Sequence, residues 1–384
     1  MTVALAGHAD DLLCHLAHLG AAGIAREAGR EIALVWSDDS PVIEGISPAE
    51  LGADVVRHAQ RLADRGSWLW RRHPITGRPL MSAKPGRIGP VNHRKRQAPD
   101  GFDAGRWSVL TPRQRAWEAP DPDWHAHTAA RENVLDELTA QRDNHSLRMI
   151  SGLGEPASWL VNDAGYALAD RGATPLDMQP RNAGAELLGS RLQPLADAVA
   201  QRSPAEVADG LTGKRCDDPA PPGRPSRTAT GLAPLGAPTD SAIAWCALWG
   251  LAEIPLRPPG LAPDLHSDKL TPWDLATPAG WVGDVDGWFI LPVWQRPLSL
   301  AKVRTLVASS AVRDAGTEGL PERWRAAQRQ IARIRAVQRG AVGVVRWPIR
   351  VSDSGKAKEV SAGTGETLGF RDAIADARNL PVGP

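Results

Sequence analysis

Hydrophobic positions Leu12, Leu13, Leu16, Leu19 and Ile24, with alanines between them, predict a mostly buried helix from Asp10 to Ala28, with Gly29 as its stop signal. Glu31 to Trp36 (EIALVW) reads as a strand, ended by the polar run Ser37-Asp38-Asp39-Ser40. Ser47-Pro48-Ala49-Glu50 then starts a second helix, with a serine cap, a proline in the first turn and a carboxylate three residues on. Its apolar face is Leu51, Val55, Val56, Ala59 and Leu62, and the pattern carries it to about Arg65.

Periodicity weakens from Ser67 to about Trp124, which reads as short strands and long loops rich in glycine and proline. Helices follow at about 123–142 and 183–201, and Ser203-Pro204-Ala205-Glu206 repeats the start signal seen at Ser47. Residues 213–238 have the composition of a long loop or linker. Asp240 opens a short apolar helix containing Ile243, Trp245, Leu248 and Trp249. Trp281 to Trp294 is a hairpin about Asp286-Gly287. Helices at 298–309 and 321–339 are the last clear elements, and 356–366 reads as a polar, mobile stretch. The expected fold is α+β, with mixed helices and short β-hairpins and a mainly helical C-terminal part. Four regions are expected: 1–212, an α+β nucleic-acid-binding region; the linker; 239–297, helix plus hairpin; and 298–384, helical with a mobile tail.

Composition narrows the class. At 384 residues, 42% hydrophobic and 23% charged, the chain has the make-up of a globular protein and no apolar run long enough to span a membrane. A net charge of +1 gives no bulk attraction to nucleic acid or anionic lipid. Cys14, Cys216 and Cys246 are too far apart for a finger or a disulfide framework, and the first helix lacks a basic leader, so a cytoplasmic location is expected.

The charge is nonetheless segregated. Arg71, Arg72, Arg78, Lys84, Arg87, Arg94, Lys95 and Arg96 fall in a stretch with His73 and His93 and no Asp or Glu, which suits phosphate contacts that orient a duplex without reading it. Trp68, Trp70 and Trp107 flank it and have the rings to stack on unpaired bases. In the 321–339 helix, Arg325, Arg329 and Arg333 repeat every fourth residue. They form a ridge opposite Trp324, Ala327, Ile331, Ile334 and Val337, with Arg335 and Arg339 beside it. Gln179, Arg181 and Asn182 form a polar turn with bidentate hydrogen-bonding groups. Each has an ordinary alternative: a solvated basic loop, a surface or protein-contact helix, and a structural hydrogen-bond knot.

Enzyme signals are sparse. Gly7-His8-Ala9-Asp10-Asp11 has a faint likeness to the His-Pro-Asp-Asp motif of zinc-dependent N-deacetylases. A hydrolase using His8, Asp10 and Asp11 is therefore the alternative reading, without the proline or an obvious second histidine. Phosphate-loop, nucleophile-elbow and HExxH motifs are absent, and neither a catalytic residue, a metal nor a cofactor is expected.

Several segments occur in a telling order. They are Gly7 with Leu19-Gly20-Ala21-Ala22-Gly23-Ile24; Gly154-Glu155-Pro156-Ala157-Ser158-Trp159; Met178 to Asn182 with Gly189-Ser190-Arg191-Leu192; and Ser226-Arg227-Thr228 with Thr230-Gly231-Leu232. Pro238-Thr239-Asp240, Ala244 to Gly250 (AWCALWG), and Gly287-Trp288-Phe289 with Leu291-Pro292-Val293-Trp294 complete the series. Over about residues 7–310 this resembles the large-subunit family of the type I-G (formerly I-U) CRISPR Cascade effector complex.

The resemblance implies a non-catalytic subunit in antiviral defense. It would contact the guide crRNA and the target double-stranded DNA at its flanking motif (PAM recognition), beside backbone and guide-processing Cascade subunits. It would also support recruitment of a helicase-nuclease, with no membrane involved. In that setting Gln179, Arg181 and Asn182 become flank-reading or guide-contacting residues. Related large subunits often end in a substantial helical bundle, which residues 298–384 barely supply, so either the bundle is reduced here or a separate small subunit takes its place.

Overall fold

The computed structural model describes residues 1–70, 132–133, 135–148, 193–218, 238–257, 277–283, 287–317, 326–353 and 358–379. Among them helices and antiparallel sheets are mixed, the α+β class expected from the sequence.

The N-terminal unit wraps a small sheet around one helix. β1 (Thr2–Ala4), β2 (Ala33–Ser37) and β3 (Ser40–Glu44) form an antiparallel sheet in the order β1-β3-β2. The β2–β3 hairpin, not anticipated from the sequence, turns through Asp38 and Asp39 at φ 48° and 65°. Two positive φ values in a two-residue turn match the twist of the strands, and aspartate tolerates them without the usual glycine signature. α1 (Leu12–Glu27) starts where the Asp11 side chain accepts from the Leu13 N–H. It is buried from Leu12 to Ala25.

α2 (Pro48–Trp70) runs past the expected end at Arg65, and the reciprocal Ser47–Glu50 cap forms at its start. Its face of Leu51, Val55, Val56, Ala59 and Leu62 is buried as expected, against α3 (Gln193–Ala200) and α4 (Pro204–Leu211). The same reciprocal cap joins Ser203 and Glu206. Shorter helical segments occupy 135–140 and 144–148.

α5 (Ser241–Gly250) is buried at every residue and crosses α1. Glycines allow the approach: a Cβ on Gly20 would stand on the Cys246 carbonyl, 2.6 Å from the Gly250 nitrogen, and one on Gly250 would stand on the Leu16 carbonyl. Asp240 caps α5 by accepting from the Ala242 N–H, and is itself held by Arg202 at 2.9 Å.

The second sheet begins with the expected hairpin, β6 (Trp281–Gly283) and β7 (Gly287–Val293), beside a minor two-stranded ribbon of β4 (Leu256–Arg257) and β5 (Thr277–Pro278). After α6 (Leu300–Ala308), α7 (Ser310–Ala315) and α8 (Ala326–Arg339), the C-terminal part holds the expected helices but also three strands. β8 (Gly343–Asp353), β9 (Lys358–Ala362) and β10 (Glu366–Gly369) precede α9 (Arg371–Asn379). Thus 358–362, read as part of a mobile stretch, is a strand. β8 pairs β7 along its length, with β10 on its first half and β9 on its second. Val344, Val345, Arg346 and Trp347 are consecutive and all buried, so the strand lacks the alternation that betrays a half-exposed one.

The sheets are tied through α1. Leu34 and Leu298 exchange backbone hydrogen bonds, and the Trp294 indole donates to the Leu34 carbonyl at 2.7 Å. Trp36, Trp294 and Trp347 pack around His15 and His18 of α1. One core cluster draws residues from Val3 to Ala373. Among the described residues no helix is long and apolar enough to cross a membrane.

Candidate functional site

Arg71, Arg72, Arg78, Lys84, Arg87, Arg94, Lys95, Arg96, Gln179, Arg181, Asn182 and Arg325 lie outside the described residues. Arg329 and Arg333 lie on α8, whose expected apolar stripe holds in part: Ile334 and Val337 pack against the core and Ile331 does not. Ala332 and Ala336 are its buried positions, whereas Ile331 is 49% exposed. Arg329 and Arg333 are half-buried and each has interaction partners. Small alanines let α7 and α9 approach closely. The cations on the exposed side are Arg335 and Arg339.

His8 and Asp10 are exposed, while the Asp11 carboxylate is engaged as the α1 cap, with burial raising its pKa to about 6. These residues do not form a converging ligand group. Among the described residues, one set of ligand-type side chains converges elsewhere: Glu27, His58 and His145, with ligand atoms within 4.8 Å of one another.

Each member is placed by its element. Glu27 is the last residue of α1, where a carboxylate meets the negative end of the helix and needs cations. Arg148 supplies one, with Nη1 donating to Oε1 at 2.5 Å, and Arg61 stands 3.9 Å from Oε2. His145 belongs to the 144–148 helical segment, whose first turn is fixed by Asp143 accepting from the Ser146 amide and hydroxyl. Its ring stacks on Trp249 at 4.8 Å and 19°. His58, on α2, meets the same indole edge-on at 4.3 Å. His145 Nδ1 lies 3.5 Å and His58 Nε2 3.7 Å from Glu27 Oε2.

A glutamate with two histidines has the composition of a metal centre, but the protons are arranged otherwise. The Trp245 Nε1–H donates to His58 Nδ1 at 3.1 Å. Indole is a donor only, so His58 Nδ1 is the acceptor and Nε2 carries the ring proton. Burial, then His145, Arg61 and Arg148, hold the His58 pKa well below its usual range, so the ring is neutral. A ligating imidazole offers a lone pair and gives its other N–H to an acceptor. His58 does the reverse, presenting N–H toward Glu27, and the set does not fit a metal.

Behind the cluster, Glu253 is fully buried and accepts from both Arg148 and Arg304. Gly23 makes room, since a Cβ there would collide with the Glu253 carboxylate. In front lies a cleft of about 600 Å³, lined by Glu27, Arg61, Arg142, Asp143, His145 and Arg148 among others. Sequence reading missed this site because its members are remote along the chain and no local motif links them. The usable clue was Glu27, a lone carboxylate ending an apolar helix.

No protein-family model matches the chain, and no curated protein matches it in sequence.

Proposed function

We propose that the chain is a non-catalytic large subunit of a crRNA-guided CRISPR interference complex. It contacts the guide and the target-flanking duplex and supports helicase-nuclease recruitment. One observation carries this reading: two of the strings that give the family resemblance, Leu19 to Ile24 and Ala244 to Gly250, pack directly against each other. Gly20 and Gly250 meet at the α1–α5 crossing, more than two hundred residues apart in sequence. Strings that must fit one another mark a shared fold better than strings that merely occur in order. Their role is packing rather than chemistry, in keeping with a subunit that binds and does not catalyse. The basic segment at 71–96 is the surface proposed to meet nucleic acid.

The test is to purify tagged protein from cells expressing its native gene neighbours and to sequence co-purifying small RNA. Guide-length RNA with repeat-derived ends, together with partner subunits, is the expected result. Protein that emerges alone and RNA-free would overturn the reading.

A further inference from the structure

We propose that the cleft beside Glu27 binds a phosphate group, with Arg61 and Arg142 as docking cations and the His145 ring as a buried donor in its wall. The inference rests on the geometry of the cleft and goes beyond the guide-complex reading, whose failure would leave it standing.

The negative charges in the wall are already engaged. Glu27 is neutralised by Arg148 at 2.5 Å, and Asp143 spends its carboxylate on the Ser146 amide and hydroxyl. Two further cations stand at the cleft beside the Glu27–Arg148 pair. Arg61 is half out in solvent and pairs only loosely with Glu27, at 3.9 Å. Arg142 makes no ion pair among the described residues. Its backbone is left-handed at φ 54°, a conformation that costs a non-glycine residue about 1 kcal/mol or more.

His145 adds an independent observation. The residue is only 8% exposed, yet among the described residues neither ring nitrogen has a hydrogen-bond partner. A buried polar group without a partner is costly, and because both nitrogens are closed to solvent, an anion in the cleft supplies the missing acceptor once the ring turns toward it. Arginines and an imidazole N–H match phosphate oxygens, while the same guanidinium groups repel a metal cation. A space of about 600 Å³ admits a nucleotide as well as inorganic phosphate.

The experiment titrates the full-length protein with inorganic phosphate, adenosine 5′-monophosphate and adenosine, at ionic strength held constant with chloride. Calorimetry and the melting temperature are the readouts. Saturable binding of the two phosphate-bearing compounds and none of adenosine is expected. Tighter binding of the nucleotide than of phosphate would mark a nucleic-acid source, and equal binding a free anion. The double variant Arg61→Gln/Arg142→Asn should bind about tenfold more weakly or worse while melting within a few degrees of the parent. Asparagine is chosen because it accepts the left-handed backbone. Absence of saturable binding, or unchanged affinity in the double variant, would overturn the proposal. So would stoichiometric zinc binding that is lost in His145→Ala.

Discussion

A methyl group added at Gly20 has nowhere to go. The Cβ would stand on the Cys246 carbonyl oxygen, 2.6 Å from the Gly250 nitrogen and 2.9 Å from the Cys246 carbonyl carbon. These are backbone atoms of α5, a helix buried over its whole length, so no side chain can swing aside. Relief requires the two helices to part by about 1 Å, which forfeits a quarter to a half of the dispersion energy of the contacts that open. Overpacking of this kind costs about 3 kcal/mol or more, against about 1 kcal/mol gained from the helix preference of alanine over glycine. The net expectation for Gly20→Ala is a loss of about 2–3 kcal/mol, or roughly 3–4 °C in melting temperature for a chain of this length. Urea and thermal unfolding followed by circular dichroism would read it. Gly369→Ala, where an added Cβ meets nothing within 4 Å, is the control and should change stability by less than about 0.5 kcal/mol. The Gly20→Ala/Gly250→Ala double variant should cost less than the sum of its parts, because one parting of the helices serves both. A Gly20→Ala protein as stable as the parent would refute the close crossing.

Trp245→Phe removes the donor that fixes His58 and frees Nε2 to offer a lone pair. The variant should gain zinc affinity by about tenfold or more in calorimetry, and equal affinity in both proteins would contradict the assigned tautomer. Glu253→Gln leaves Arg148 and Arg304 facing a neutral group from which a fully buried charge has gone. A loss of about 3 kcal/mol in urea unfolding is expected, and a change under 1 kcal/mol would show the pairs to be idle. Burial holds the pKa of His18 down to about 4 and those of His15 and His58 well below their usual range. Folded-state values below the unfolded 6.5 mean that the unfolded chain binds protons more readily. Stability should therefore be level above pH 6.5 and fall toward pH 4, by about 3 kcal/mol for His18 alone. Asp11, raised to about 6, works in the opposite sense and offsets about one histidine, so a urea midpoint that stays flat from pH 8 to 4.5 would refute the balance. Replacing Arg71, Arg72, Arg94 and Arg96 by alanine should weaken duplex capture by the assembled complex and flatten its salt dependence, and unchanged capture by a folded variant would remove this segment from the interface.

What the sequence made legible was whatever a short window encodes. The caps at Ser47 and Ser203, the stop at Gly29 with its φ of 82°, and the 281–294 hairpin all formed as read, because a few adjacent residues determine each of them. β8 escaped because its flanking strands and the core bury consecutive residues, erasing the period that would reveal it. The sequence marks α8 as a helix and places Ile334 and Val337 against the core, but not the centre of its buried face. Counting apolar side chains favoured Ile331, whereas close packing selected Ala332 and Ala336. The Glu27–His58–His145 cluster was invisible for a stronger reason. Its chemistry depends on one indole proton from Trp245, brought across by tertiary packing.

In chain order the basic segment follows directly on α2, the helix that carries Arg61. Arg61 lies on α2 nine residues before Trp70, about 13 Å along a helix, and the basic stretch begins at the next residue, Arg71. On the far side of that stretch, the chain is described again as a helix at 135–140, leading within a few residues to Arg142, His145 and Arg148 at the cleft. The residues Arg71 to Arg96 themselves lie outside the described residues. Whether segment and cleft serve one ligand strand is open to a direct test. If both contact that strand, Arg61→Gln/Arg142→Asn and the quadruple alanine variant should lower the salt slope of binding together, each by about the number of phosphate contacts it removes. Two surfaces serving different ligands would instead leave the slope of the nucleic-acid titration untouched by the cleft substitutions.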